Sequence, residues 1–210
     1  MELSADVRRE IAELAQRYGQ PRAIQAVIHD GFDDPIRRRD RYGEVLMAVR
    51  RPNGKLLVAI KTFYPRGAYR LPTGGIHHGE RILDALVRET HEETGLEAVV
   101  RRFLATIAYR GRSTPKAAPL FHTFAFLLDE LGGTLGALDA GERIEAWREM
   151  SPAELRGQAA VLERIATEGT AGIGGSWADW GRFRAVAHHV VADTLESGEI
   201  SPAGRGGTPG

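Results

Sequence analysis

Apolar positions along the chain follow two different periods, which predicts a protein built from both helices and strands. Over residues 4–18 they recur every three or four positions, as on one face of an amphipathic helix, with Ser4 placed to cap the start and Gly19 the end. Elsewhere the apolar residues come in short runs rich in Val, Ile, Leu and Phe, which are typical of buried strands. These runs lie at 42–50, 55–63, 98–109, 120–128 and 145–150.

Capping residues predict three further helices. One spans about 81–94 and ends at Gly95, a second begins at Ser151 with a proline directly after it, and a third begins at Ser176. We expect a break between the last two at Gly169–Gly175. The predicted inner side of the first of these helices holds Ile82, Leu83, Leu86, Val87 and Thr90. The Gly- and Pro-rich segment 65–79 predicts an irregular loop.

Composition narrows the range of functions. The 210 residues include no cysteine, which excludes a disulfide scaffold, thiolate zinc sites and a cysteine nucleophile. The formal net charge is zero, which argues against a general nucleic-acid binder. No apolar run approaches the roughly 20 residues of a membrane span, and the first residues lack an apolar signal core, so we expect a cytoplasmic protein with no membrane partner.

Three acidic residues point to chemistry on the helix at 81–94. Glu89, Glu92 and Glu93 stand at i, i+3 and i+4 and share about 100° of arc on one face. Such acids usually form a solvated surface, but here a Gly-rich loop precedes the helix and Arg88 adjoins the first acid. Crowded carboxylates repel one another, and a hard divalent cation relieves that repulsion. Glu80 lies eight residues before Arg88, a spacing that allows the two to pair.

The segment from Gly74 to Leu96, GGIHHGERILDALVRETHEETGL, resembles the signature of the Nudix hydrolases, G-x5-E-x7-R-E-U-x-E-E-x-G-U, where U is a bulky aliphatic residue. The sequence departs from this signature at one position, Thr90, whose methyl group can still face the core. The matching positions are Gly74, Glu80, Arg88, Glu89, Glu92, Glu93, Gly95 and Leu96.

The resemblance implies an α/β fold, a Nudix-type α/β/α sandwich with a mixed, curved sheet and helical extensions at both ends. We expect an N-terminal helical extension and linker at 1–36, the Nudix domain at 37–155, C-terminal helices at 156–196 and a disordered tail at 197–210. The helical ends, 1–18 and 152–195, are the candidate contacts of a homodimer.

The resemblance also implies an activity, because Nudix hydrolases typically cleave a nucleoside diphosphate linked to another moiety. The expected enzyme is a Mg²⁺- or Mn²⁺-dependent nucleotide pyrophosphohydrolase (EC 3.6.1 type), in which water attacks a phosphoanhydride. By position, Glu89, Glu92 and Glu93 are the implied metal ligands. Arg88 would orient a glutamate and Glu80 would brace Arg88. The catalytic base is one of the three glutamates or an acid from elsewhere in the chain.

Several residues outside the acidic helix complete the predicted site. A backbone carbonyl at Thr73 or Gly74 is a candidate further metal ligand. Many relatives carry an extra catalytic acid late in the domain, for which we favour Glu145 over Glu142. Guanidinium groups bind phosphate in fork geometry, and cations are needed where phosphate charge develops. The candidate substrate-binding residues are Arg50, Lys61 and Arg70.

Three alternatives compete with the enzyme. A Nudix-domain sensor regulating transcription would join the domain to a winged helix, but the C-terminal part predicts only two helices and no basic recognition helix. The isomerase branch acting on isoprenoid diphosphates relies on a cysteine, which this chain lacks. A scaffold that keeps an unused signature fits poorly with the complete set of acids.

Overall fold

The structure, a computed structural model, describes residues 2–29, 32, 36, 40–166 and 175–197. The predicted Gly169–Gly175 break lies outside these residues except for Gly175, and so does all of the predicted tail beyond residue 197. The helices are α1 (Ala5–Tyr18), α2 (Ile82–Thr94), α3 (Pro152–Glu163) and α4 (Trp177–Glu196). The strands are β1 (Arg22–Ile28), β2 (Arg41–Arg50), β3 (Leu56–Lys61), β4 (Thr73–His77), β5 (Leu96–Gly111), β6 (Phe121–Gly133) and β7 (Ile144–Met150).

The strands form one open, mixed sheet. Six of them follow the order β1-β5-β6-β2-β3-β7, and β4 pairs with β2 beside this path. The β1–β5 and β2–β6 pairs are parallel, whereas the other pairs are antiparallel. Strand β2 therefore lies at the centre of the sheet, where it contacts three other strands.

Strand β2 is buried on both faces because helices cover both sides of the sheet. Val45 and Met47 belong to a core cluster that includes residues of α1 and α2. Leu46 and Ala48, which alternate with them, belong to a second cluster that includes residues of α3 and α4. Successive side chains of a strand point to opposite faces, so this division confirms the predicted α/β/α sandwich.

The predicted caps are confirmed where the chain is described. The Ser4 side chain accepts a hydrogen bond from the backbone N–H of Val7, and Gly95 ends α2 with a left-handed φ of 67°. Ser151 and Glu154 form a reciprocal capping box at the start of α3. These signals were readable because each depends on residues within one turn of chain.

Three sequence expectations were wrong in detail. Strand β1 was not predicted, although it forms one edge of the sheet. Strand β4 lies within residues 65–79, which were expected to be an irregular loop. Val87 was expected on the inner side of α2, but it is 59% exposed. The face of α2 that packs inward includes Ala85 and Glu93, so Val87 lies on the solvent side. Among the described helices, none is both long and apolar enough to cross a membrane.

Helix α1 holds the start of α2 through a single carboxylate. Arg81, the residue before α2, makes no side-chain capping hydrogen bond. Instead, the buried Glu10 accepts hydrogen bonds from the backbone N–H groups of Ile82 (3.1 Å) and Leu83 (3.2 Å). A carboxylate at this end of a helix satisfies free N–H groups and complements the helix dipole. The N-terminal helix therefore anchors the helix that carries the signature acids.

We expect Glu10→Gln to lower the free energy of unfolding by about 1 kcal/mol, since the amide loses the charge and one of the two acceptors at the start of α2. Urea denaturation at neutral pH measures this change. Glu13→Gln is the matched control, because Glu13 is exposed and pairs with the side chain of Arg81, at 3.5 Å, rather than with the backbone N–H groups of α2. Equal losses in the two variants would contradict the capping role of Glu10.

Candidate active site

A polar cavity of about 340 Å³ opens where β2, β4 and α2 meet the turn before β7 and the first turns of α4. It is lined by five basic, four acidic and three aromatic side chains. A larger groove of about 620 Å³ lies between α1 and the loop before α2, but neither Glu89 nor Glu93 lines it. The charged and aromatic lining residues of the polar cavity are Arg41, Lys61, Arg70, Arg143, Arg184, Glu44, Glu89, Glu93, Glu142, Phe63, Tyr64 and Trp180.

Gly74 allows α2 to approach β4 closely at this cavity. A Cβ atom on Gly74 would lie 2.0 Å from Cγ of Glu89, far inside van der Waals contact. Since the clash involves the inner part of the Glu89 side chain, a larger residue would have to push the helix or the strand away. The glycine therefore brings the backbone of β4 against the first signature acid.

Glu89 and Glu93 are one helical turn apart and about 40° apart around α2, so both reach the cavity. Glu93 is 5% exposed. Burial raises its pKa to about 7, against the attraction of Arg70 and Lys61 and with added repulsion from Glu142 and Glu89. Without a further cation in the cavity, Glu93 therefore holds a proton near neutral pH.

The pKa of Glu89 is raised for a similar reason. Burial is the largest cause, and repulsion from Glu92 and Glu142 adds to it, while Arg88 opposes the shift. The raised pKa of both carboxyl groups means that the surrounding basic side chains do not fully offset the cost of removing these acids from water.

Arg88 forms hydrogen bonds with three acidic side chains at the edge of the cavity. Its guanidinium donates to both carboxylate oxygens of Glu80, at 2.8 and 3.0 Å, which confirms the pairing allowed by their spacing. It also donates to Glu89 (2.8 Å), to Glu92 (3.1 Å) and to the carbonyl oxygen of Gly75 (3.1 Å). Burial favours the protonated form of Glu80, but the hydrogen bonds from Arg88 and from the His77 backbone outweigh it and lower the pKa of Glu80.

Two of the three predicted substrate-binding cations line the cavity. Lys61 pairs with Glu142 at 2.6 Å, and the buried Arg70 lies 3.9 Å from Glu93. Arg50 does not reach the cavity, because it stands six residues beyond Glu44 along β2, roughly 20 Å away, and pairs with Asp129. The prediction that Arg50 binds substrate is therefore corrected by its position in the strand.

Two predicted acids lie apart from the cavity. Glu92 does not line it, and its side chain is half exposed and turned to Arg88. Glu145 is exposed on β7, whereas Glu142, in the short turn Ala140–Glu142 before that strand, lines the cavity. Within the described part of the chain, no three acidic or histidine side chains converge closely enough to form a ready-made metal cluster.

Sequence reasoning missed several lining residues. Glu44 had a readable signal, since it is the one acid in a central strand whose other charged residues are Arg41 and Arg50 at its ends. Arg143 has a φ of 50°, which is uncommon outside glycine, and its guanidinium lies 4.2 Å from the centre of the Phe63 ring. Trp180 and Arg184 come from α4, more than 80 residues away from α2, and no local pattern reveals that they meet it.

The donor chemistry of the cavity fits a hard divalent cation. The partly buried Glu89 and the buried Glu93 are carboxyl groups with raised pKa values, and hard cations take carboxylate oxygens. A bound cation would stabilise the ionised form of both groups and so remove the strain of crowding them.

Comparison with known proteins identifies related sequences. A family model described as the NUDIX domain matches residues 40–168, from near the predicted boundary at 37 to beyond that at 155. An ADP-ribose pyrophosphatase of Methanocaldococcus jannaschii is 34% identical over 99 residues, which cover 46% of this chain and 56% of that protein. An NAD-capped RNA hydrolase NudC of Vibrio atlanticus is 36% identical over 91 residues, 43% of this chain and 31% of that protein. The chain thus spans about half or less of these relatives.

Solved structures also resemble the chain. An ADP-ribose pyrophosphatase from Streptococcus suis has a TM-score of 0.45 and 16% identity, covering 75% of this chain and 92% of that one. A C. elegans Ap4A hydrolase has a TM-score of 0.43 and 17% identity, with coverages of 56% and 86%. The matched NUDIX domain takes up more than half of the sequence. It contains Glu89 and Glu93 of the cavity, together with Gly74 and Arg88. This chain therefore belongs to the NUDIX family.

Proposed function

We propose that this Nudix hydrolase cleaves a phosphoanhydride bond in a nucleoside diphosphate-linked substrate and depends on Mg²⁺ or Mn²⁺ bound by its signature acids. One observation carries the proposal: Glu89 and Glu93, both with raised pKa values, face a cavity that is also lined by Lys61, Arg70 and Arg143. Such a site combines carboxylates that a divalent cation would stabilise in their ionised form with basic side chains that attract an anionic substrate.

In this proposal Glu89 and Glu93 hold the metal within the cavity, Glu92 contributes from the rim, and a carbonyl at Gly74 is the candidate further ligand. When bound, a divalent ion supplies positive charge for the phosphate oxygens and lowers the pKa of a bound water. Arg88 keeps Glu89 in place through its 2.8 Å hydrogen bond.

The remaining cavity residues act on the substrate. Lys61 and Arg70 attract the diphosphate and stabilise the charge that develops on its oxygens during water attack. Arg143, which lines the same wall as Glu142, adds a third cation. Glu142 replaces Glu145 as the candidate for the extra catalytic acid late in the domain, because Glu142 lines the cavity and Glu145 is exposed.

The substrate class draws support from the named relatives. One relative is an ADP-ribose pyrophosphatase and the other hydrolyses NAD-capped RNA. Both ADP-ribose and NAD contain a diphosphate bridge between two larger groups. The cytoplasmic location and the homodimer stay predictions; light scattering at micromolar concentration tests the latter.

We expect Glu93→Gln to lower turnover on nucleoside diphosphate derivatives by about a hundredfold or more, because a neutral amide is a poorer ligand for a divalent ion. The measurement is phosphate or nucleotide release with Mg²⁺ or Mn²⁺ over a panel of such derivatives, dinucleoside polyphosphates and triphosphates. Metal-induced thermal stabilisation, followed in parallel, should also be lost in the variant.

Asp84→Asn is the matched control, because Asp84 is an exposed acid on the same helix and does not line the cavity. It should retain wild-type turnover. Unchanged turnover in a folded Glu93→Gln protein would remove Glu93 from the mechanism, and a wild type inactive on the whole panel would overturn the proposed function.

The raised pKa of Glu93 predicts a pH dependence of stability in the metal-free protein. The folded protein keeps this proton up to about pH 7, whereas the unfolded chain releases it near 4.5. The contribution of Glu93 to the free energy of unfolding therefore falls as pH rises from 4.5 to 7, by on the order of 3 kcal/mol.

Other carboxylates with lowered pKa values, such as Glu80, act in the opposite direction, so the useful quantity is the difference between wild type and Glu93→Gln. Urea denaturation with a metal chelator at several pH values measures it. We expect the variant to gain stability relative to wild type across this window. A difference that does not change with pH would contradict the buried, protonated Glu93.

A further inference from the structure

The C-terminal helix α4 reaches into the site although it lies outside the segment matched by the NUDIX domain model. That match ends at residue 168, and α4 spans Trp177–Glu196. Trp180 and Arg184, on successive turns of α4, line the cavity opposite the signature acids. The site is therefore built from one wall that carries the family's signature and one that does not.

Arg184 joins α4 to the start of β4. Its Nη1 donates to both carboxylate oxygens of Glu44, each at 2.9 Å, and to the hydroxyl of Thr73 at 3.2 Å. Glu44 also accepts a hydrogen bond from the hydroxyl of Thr123 at 2.9 Å. Arg184 and Glu44 are both buried, and a buried ion pair is tolerated when its charges are mutually paired in this way.

His188, one turn further along α4 than Arg184, binds the backbone of Leu71, just before β4. The N–H of Leu71 donates to Nε2 of His188 at 3.2 Å, and His188 Nδ1 lies 2.8 Å from the carbonyl oxygen of Arg184. Because a carbonyl can only accept and an N–H can only donate, the proton is on Nδ1 and Nε2 is free to accept. Burial lowers the pKa of His188 to about 3, so the ring stays neutral.

The segment held by α4 runs directly into the site. Leu71 is three residues before Gly74, where the backbone touches Glu89 with no room for a Cβ atom. Thr73, between them, accepts hydrogen bonds from both Arg70 (3.1 Å) and Arg184. A shift of the backbone at Leu71 would therefore move Gly74 against the acids of α2.

We propose that His188 is a positioning residue of the active site. By accepting a hydrogen bond from the backbone N–H of Leu71, it fixes the backbone that places Gly74 against Glu89. Arg184 supports the same backbone through Thr73. This inference rests on the proposed function for its effect on turnover, but the hydrogen bond itself exists independently of the reaction.

Two substitutions at position 188 separate positioning from packing. His188→Leu fills the buried position with an apolar side chain and leaves the Leu71 N–H without its acceptor. In His188→Gln, the amide oxygen stands close to the position of Nε2 and can accept the same hydrogen bond. His189→Leu is the matched control, since the neighbouring His189 pairs with Glu163 at the surface (3.0 Å). The three variants are compared with wild type at 25 °C, below the unfolding transition.

We expect His188→Leu to lower kcat by about tenfold or more with KM changed less than about threefold, because misplaced catalytic geometry affects the transition state more than ground-state binding. Amide hydrogen exchange at Leu71 should become faster in the same variant. His188→Gln should restore both properties to near the wild-type values, and His189→Leu should leave both unchanged.

A His188→Leu protein that loses thermal stability but keeps wild-type kcat would overturn the proposal, since His188 would then only support the fold. Equal loss of kcat in the Leu and Gln variants would also overturn it, because the acceptor would not be what matters. If wild type hydrolyses no substrate, the proposed function fails, while exchange at Leu71 still decides whether His188 holds this backbone.

Discussion

The withdrawal from water of two carboxyl groups, the partly buried Glu89 and the buried Glu93, is the constraint on which the site depends. Burial raises the pKa of both groups, and repulsion from neighbouring carboxylates adds to the shift, so each ionised form is stabilised by added positive charge. Arg88 supplies part of that charge to Glu89, and Arg70 and Lys61 supply part of it to Glu93 but leave its pKa at about 7. In the proposed function, a divalent cation bound by these carboxylates meets the residual demand for positive charge.

The fold holds this unfavourable arrangement from both sides of the sheet. On one side, Glu10 of α1 caps the start of α2 and so fixes the helix that bears the acids. On the other side, α4 fixes the strand that faces them, through the ion pair of Arg184 with Glu44 and the hydrogen bond of His188 with Leu71. Both helices lie outside the residues matched by the NUDIX domain, so segments beyond the family core hold the two elements that meet at the cavity.

Local features of the site were predictable from sequence, whereas long-range ones were not. The extent of α2, its end at Gly95 and the pairing of Glu80 with Arg88 follow from caps and helical spacing within a few turns. Strand β1 escaped prediction because it is short and pairs with β5, about 80 residues further along the chain.

The sequence could not show that Glu142 rather than Glu145 lines the cavity, since this depends on where the short turn Ala140–Glu142 meets β7. Arg50 and Lys61 look equally suited to phosphate, but β2 reaches the cavity at the end opposite Arg50, whereas β3 reaches it at Lys61. Tertiary position, rather than residue type, decides which charged side chains serve the site.

The most direct test is a crystal structure of the protein grown with Mn²⁺, with anomalous diffraction used to locate the metal. We expect an anomalous peak in the cavity, coordinated by carboxylate oxygens of both Glu89 and Glu93. A metal bound elsewhere, or a cavity without a peak at saturating Mn²⁺ while these two side chains remain buried, would contradict the central role of the two acids.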